Sequence, residues 1–154
     1  MAVALGDLLE ENRVQLELAS STRADALREI VARLRGPAVD DSDKLLREVL
    51  AREELHTTYM GRGVAFPHAR TDLVQSIVLG IGRSRAGVVF GDNGETAHLI
   101  FLIGVPRRMV KDYLVCVGAL ARITSDEKTR AALMDAASAA EFVELLRSAS
   151  LVLE

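Results

Sequence analysis

The chain is poor in several things at once. It has one cysteine, three prolines, no tryptophan and only 4% aromatic residues in 154 positions. A single cysteine excludes an internal disulfide framework and suits a reducing compartment. Cys116, within an apolar helical run, reads as a lone buried thiol. Scarce aromatics leave alanine, valine and leucine to fill the core. The net charge of −3 lacks the basic excess that nucleic-acid binding needs, so no nucleic-acid partner is expected. The N-terminus has no basic region and reaches an acid by Asp7, which argues against a signal peptide. No apolar run approaches a membrane span, so no membrane insertion and a cytoplasmic protein are expected.

What is present is an ordinary globular composition, 49% hydrophobic and 27% charged, in a length that suits one domain over 1–154 and buries a core without a metal. Val14, Leu16 and Leu18 alternate with polar residues and predict a strand with one wet face. Thr22, three residues before Asp25, resembles a capping box, and Leu27, Ile30, Val31 and Leu34 predict a helix from about Arg23 to Leu34. Asp41 and Ser42 cap a second helix, ending near Arg52-Glu53-Glu54. Residues 56–63 read as a loop, and Val64-Ala65-Phe66 as a short strand. Ile77–Ile81, Val88–Phe90 and Ala97–Val105 read as three strands, the last two joined through Asn93-Gly94, a hairpin signal. A helix from about Arg108 to Ile123 follows. Thr124/Glu127 and Ser138/Glu141 read as capping boxes for two more. The alternation predicts an α/β layer fold with a mixed sheet.

The chemistry concentrates in Gly61-Arg62-Gly63-Val64-Ala65-Phe66-Pro67-His68-Ala69-Arg70. Histidine has an ordinary pKa near 6.5, so at neutral pH His68 is largely an uncharged nucleophile. Glycines let the backbone approach an anion, and arginine offers phosphate a planar fork. In an extended segment His68 and Arg70 share a face, so Arg70 pairs with phosphate or an acidic partner, or is a plain surface arginine. Arg62, Arg70, Arg83, Arg85, Arg107 and Arg108 fall mid-chain. They form either an anion-facing surface or a solvated surface of mixed charge. His56, His68 and His98 match no metal-ligand spacing, so no metal site is expected; His98 reads as a core or sheet-face histidine.

The stretch from Arg52-Glu53 through Thr57-Thr58 and Gly61-x-Gly63 to Pro67-His68 resembles the type-2 EIIA domains, fructose/mannitol and nitrogen-regulatory, of the bacterial phosphoenolpyruvate phosphotransferase system. The similarity runs over nearly the whole chain. It implies a mixed, about five-stranded sheet with helices on both faces. It also implies a phosphocarrier that takes a phosphoryl group from HPr or an HPr-like protein and hands it to an EIIB domain or uses it as a regulatory signal, with no cofactor. Carried over, His68 is the phosphorylated residue and Arg52 the arginine beside the phosphoryl group. Thr57, Thr58, Gly61 and Gly63 are the remaining signature positions, read as phosphate-binding. Tyr113, before Leu114, stands where the family usually has a second histidine. A phenol donates a hydrogen bond but carries no positive charge at neutral pH. The departure favours the nitrogen-regulatory branch and leaves open a non-catalytic EIIA-like interaction module.

Overall fold

The computed structural model describes residues 4–152. Two 3₁₀ turns, Leu5–Leu8 and Glu11–Arg13, lead into β1 (Val14–Gln15). Then come α1 (Arg23–Ala32), α2 (Ser42–Leu55), β2 (Tyr59–Gly61), β3 (Val64–Ala65), β4 (His68–Thr71), β5 (Val78–Val89) and β6 (Thr96–Pro106). Three helices close the chain: α3 (Val110–Ser125), α4 (Glu127–Asp135) and α5 (Ala139–Val152). The sheet runs β1-β5-β6-β3-β2, and β4 also pairs with β6. It is mixed: β5–β6 and β2–β3 are antiparallel, whereas β1–β5, β3–β6 and β4–β6 are parallel.

Strands β3 and β4 are one strand interrupted at Phe66-Pro67. Val64 faces Leu99, and His68 faces Ile103 in the same register. Pro67 lacks an N–H, but its carbonyl still accepts from the Ile103 N–H at 2.9 Å, so the ladder resumes beyond it. The six segments thus occupy five positions, the width that the resemblance implies. The sequence pattern predicts a strand ending at Phe66, whereas the strand continues as β4 to Thr71.

Helices cover both faces, which makes β6 apolar along most of its length. On one side Ala26, Leu27 and Ile30 of α1 and Leu45 and Val49 of α2 meet Ile100 and Leu102. On the other, Cys116 and Leu120 of α3, Leu133 of α4, and Phe142 and Leu146 of α5 meet Leu99, Phe101 and Ile103. Helix α1 sits close to β5 because Gly80 and Gly82 present no side chain. A Cβ there would lie 2.8 and 2.7 Å from Ile30 carbons. Burial pushes the Cys116 thiol up to about 11, which keeps it protonated and inert.

Other boundaries differ from the sequence reading for physical reasons. The Val14–Leu18 strand is in ladder register with β5 only at Val14 and Gln15; beyond them the Leu16 carbonyl accepts from the Arg83 side chain at 3.1 Å and the Leu18 N–H donates to the Arg83 carbonyl at 2.8 Å. Helix α1 ends at Ala32, with Arg33 and Leu34 in a tighter turn. The supposed loop 56–63 contains β2, which turns into β3 through Gly61, Arg62 and Gly63, all at positive φ (92°, 56° and 77°). The strands read at 77–81 and 88–90 belong to one long β5. Its bulge between Arg83 and Val88 absorbs the polar stretch. Asp126, not Thr124, caps α4, accepting from the Thr129 N–H at 3.0 Å; the Thr124 hydroxyl bonds back to the Leu120 carbonyl at 2.7 Å. Arg83 is 1% exposed rather than part of a surface. Its guanidinium donates to the Leu133 and Ala136 carbonyls at 3.0 and 2.7 Å, closing the end of α4.

Candidate functional site

Three elements meet at His68. Helix α2 contributes Arg52 from its last turn, β4 contributes His68 and Arg70, and α3 contributes Tyr113 from its first turn. Arg52, His68 and Arg70 line one open cavity of about 380 Å³, together with Glu48, Ala51, Ala69 and Arg107. β4 is extended, so His68 and Arg70 do point to a common side. Arg107 was expected only as part of a general basic stretch. It comes from the turn after β6 and forms an exposed 3.3 Å ion pair with Asp72.

The imidazole is held from one side. Its Nδ1 lies 3.1 Å from the Phe66 carbonyl oxygen. A carbonyl only accepts, so Nδ1 carries the proton and the neutral ring keeps its lone pair on Nε2. The Tyr113 hydroxyl oxygen lies 3.3 Å from the same Nδ1 and acts as a second, weaker acceptor. The two rings are tilted at 37° with centroids 5.0 Å apart. Burial holds the His68 pKa below 6.5; Arg52 and Arg70 push it the same way, against the Phe66 bond and Glu53. Burial raises the Tyr113 pKa, with Arg52 opposing, so the phenol stays neutral at pH 7.

Beneath the site lies Glu53, 1% exposed. Its carboxylate accepts from the Thr57 hydroxyl at 2.8 Å, the Thr58 N–H at 2.6 Å and the Thr58 hydroxyl at 2.7 Å. The threonine pair therefore ties the α2–β2 connection to the helix. Arg52 adds a 2.9 Å bond from its guanidinium to the His56 carbonyl. Glu53 was read only as a signature residue. The spacing of an acid four and five residues ahead of two hydroxyls, at a helix end, was the available signal. Gly61 and Gly63 do not line the His68 cavity. They form the β2–β3 turn, where the Tyr59 hydroxyl accepts from the Gly63 N–H at 3.0 Å.

His98 sits half-buried on β6, its Nδ1 donating to the Ser84 carbonyl at 2.8 Å, and His56 caps the end of α2. Among the described residues no group of three or more histidine, cysteine, aspartate or glutamate side chains is placed to hold a metal ion. No helix among them is long and apolar enough to cross a membrane.

A fold with a histidine presented by a parallel strand among arginines defines a class, and comparison with known proteins identifies it. The family model for the phosphoenolpyruvate-dependent sugar phosphotransferase system, EIIA 2, matches residues 7–149, and the chain belongs to that family. It is 27% identical over 142 residues to the fructose-specific EIIABC component of Bacillus subtilis, covering 91% of this chain and 22% of that one. It is 38% identical over 101 residues to the fructose-specific EIIA component of Haloferax volcanii, covering 65% and 66%. The chain thus spans less than two thirds of the length of either. Among solved structures, the nitrogen regulatory protein IIA-Ntr of Neisseria meningitidis superposes with a TM-score of 0.85 at 27% identity, covering 92% of this chain and 98% of that one.

Proposed function

We propose that this protein is a cytoplasmic phosphoryl carrier that accepts a phosphoryl group on His68 Nε2. The observation that carries the reading is the Nδ1–H···O=C bond to Phe66, which leaves the opposite nitrogen nucleophilic in a cavity shared with Arg52, Arg70 and Arg107. The Nε2 lone pair attacks phosphorus of the phosphorylated donor. The new N–P bond forms as the donor's bond to phosphorus breaks, and the donor keeps that electron pair. The proton on Nδ1 stays in place. Three guanidiniums offset the charge of the transferring group, and the transfer needs little beyond positioning and such stabilisation. Transfer onward reverses the step.

The donor is HPr or an HPr-like protein, and the acceptor is an EIIB domain or a regulated target. The backbone likeness to the Neisseria nitrogen regulatory protein and the tyrosine at position 113 favour the regulatory branch. The test is incubation with enzyme I, HPr and phosphoenolpyruvate, followed by intact-mass measurement. One acid-labile, alkali-stable phosphoryl group should appear. It should vanish in His68→Ala and persist in His56→Ala and His98→Ala. Label retained by His68→Ala, or none on the wild type, refutes the carrier reading; the latter outcome leaves an EIIA-like interaction module.

A further inference from the structure

The arginines of the middle of the chain do not form one surface. Arg70 and Arg107 face His68, and Arg83 is buried. Arg62, Arg85 and Arg130 surround a second cavity, of about 330 Å³, with His98 in its wall. The two cavities share no lining residue. Gly63 and His68 lie five residues apart on one strand line, about 16 Å at 3.3 Å per residue.

The backbone is bent to build this cavity. The Gly63 carbonyl accepts from two successive N–H groups, those of His98 at 2.7 Å and Leu99 at 3.0 Å. The β5–β6 ladder shifts register at the same place, between the Arg83–Leu99 and Val88–Ala97 pairs. There the alternation of β6 breaks: Ala97 and Ile100 enter one core and Leu99 the other, while His98 turns to the cavity beside Leu99. The Nδ1–H of His98 is spent on the Ser84 carbonyl, which fixes the ring. Arg62 stands at φ 56°, the one non-glycine residue at positive φ among those described.

The charge is lopsided. None of the ion pairs among the described residues involves Arg62, Arg85 or Arg130, and Glu127 is the one carboxylate in the lining. Arg62 uses one donor on the Ser125 carbonyl at 3.0 Å, and Arg130 one on the Thr124 carbonyl at 2.7 Å. Each guanidinium carries five donors, so those bonds anchor the side chains and leave most of the fork available. Leu99, Ala131 and Met134 supply an apolar floor.

We propose that this cavity is a second anion site, taking a small organic phosphate with its dianionic head on the three arginines and its apolar part on the Leu99–Met134 floor. Three guanidiniums against one carboxylate exceed what a single carboxylate ligand satisfies, whereas a phosphate presents three oxygens at once. The volume fits a small molecule rather than a polypeptide segment. The site stands apart from the reading of His68 and does not depend on it.

The test is a titration of the ¹⁵N-labelled full chain with phenyl phosphate, followed by NMR, with benzyl alcohol as the uncharged control. Phenyl phosphate should give saturable shifts at the Gly63, His98 and Leu99 amides at millimolar concentration, and benzyl alcohol none that saturate. Arg85 is exposed, and its replacement leaves the backbone contacts of the cavity intact. Arg85→Ala should weaken binding about tenfold, the loss of one charge-assisted contact, and Arg85→Glu should abolish it. Shifts confined to His68, Ala69 and Arg70, equal effects of the neutral control, or full affinity in Arg85→Glu each overturn the proposal.

Discussion

Tyr113 packs its ring against that of His68, with centroids 5.0 Å apart, and Tyr113→Phe measures what the phenol does. The hydroxyl lies 3.3 Å from His68 Nδ1, beyond the usual 2.7–3.2 Å range for a good bond. The shorter Phe66 contact, at 3.1 Å, already takes the Nδ1 proton. The phenol is therefore a secondary acceptor, worth no more than the lower end of about 0.5–1.5 kcal/mol. Removing it should slow phosphorylation by less than roughly fivefold. The ring contact survives, so the melting temperature should hardly move. The decisive assay is the ¹⁵N shift pattern of the His68 ring beside the rate of labelling by phospho-HPr. Wild type and Tyr113→Phe should both show a protonated Nδ1 and an unprotonated Nε2 above pH 7. A switch of tautomer in Tyr113→Phe, or a loss of rate greater than about tenfold, would show that the phenol holds the nucleophile in place and would refute the reasoning.

Arg52→Ala should slow labelling by on the order of tenfold to a hundredfold, the loss of a charge-assisted contact to the transferring group, with lysine rescuing only partly because it lacks the fork; unchanged rates would remove Arg52 from the site. Glu53→Gln keeps an acceptor for the Thr57 hydroxyl and Thr58 N–H, and the Thr58 hydroxyl can turn to accept from the new amide. Glu53→Ala strands all three donors. Chemical denaturation should therefore show Glu53→Ala losing about 3–5 kcal/mol and Glu53→Gln far less; equal losses would mean that the carboxylate charge, not the bonding, holds the connection. Because burial lowers the His68 pKa below 6.5, the labelling rate should be level at and above pH 7 and half-maximal only below pH 6.5. The same shift makes the fold bind fewer protons than the unfolded chain there, so the stability His68 contributes is present above pH 6.5 and is lost as pH falls through its folded pKa. A rate that halves above pH 6.5 would contradict the buried, arginine-flanked geometry.

The parts of this fold that were legible in the sequence are those whose cause lies within a few residues. The 3.6-residue spacing of Leu27, Ile30 and Val31 set α1. Asp41 accepts from the Lys44 N–H at 3.0 Å, as a cap before an apolar period should. Asn93-Gly94 turns β5 into β6, with Gly94 at φ 80°. The parts that were not legible have causes far away in the chain. Pro67 reads locally as a terminator, yet the strand resumes because Ile103, 36 residues on, still finds its carbonyl. Arg83 reads as surface charge, yet carbonyls 50 and 53 residues away solvate it.

The candidate site divides along the same line. Pro67-His68 and the glycine turn announce themselves, and the acid ahead of Thr57-Thr58 is a local pattern of the same kind. The tautomer could not be foreseen, since it depends on how the chain curls Phe66's carbonyl back towards its own i+2 side chain. Tyr113, 45 residues from His68, was reached only through resemblance. Nor does composition say which arginines share a cavity. A run of cations around 62–108 is one patch in sequence, but the sheet parts it into a wall beside His68, a buried clamp and a pocket at Gly63. Sequence supplies the charges, and the register of β3–β4 on β6 decides which of them act together.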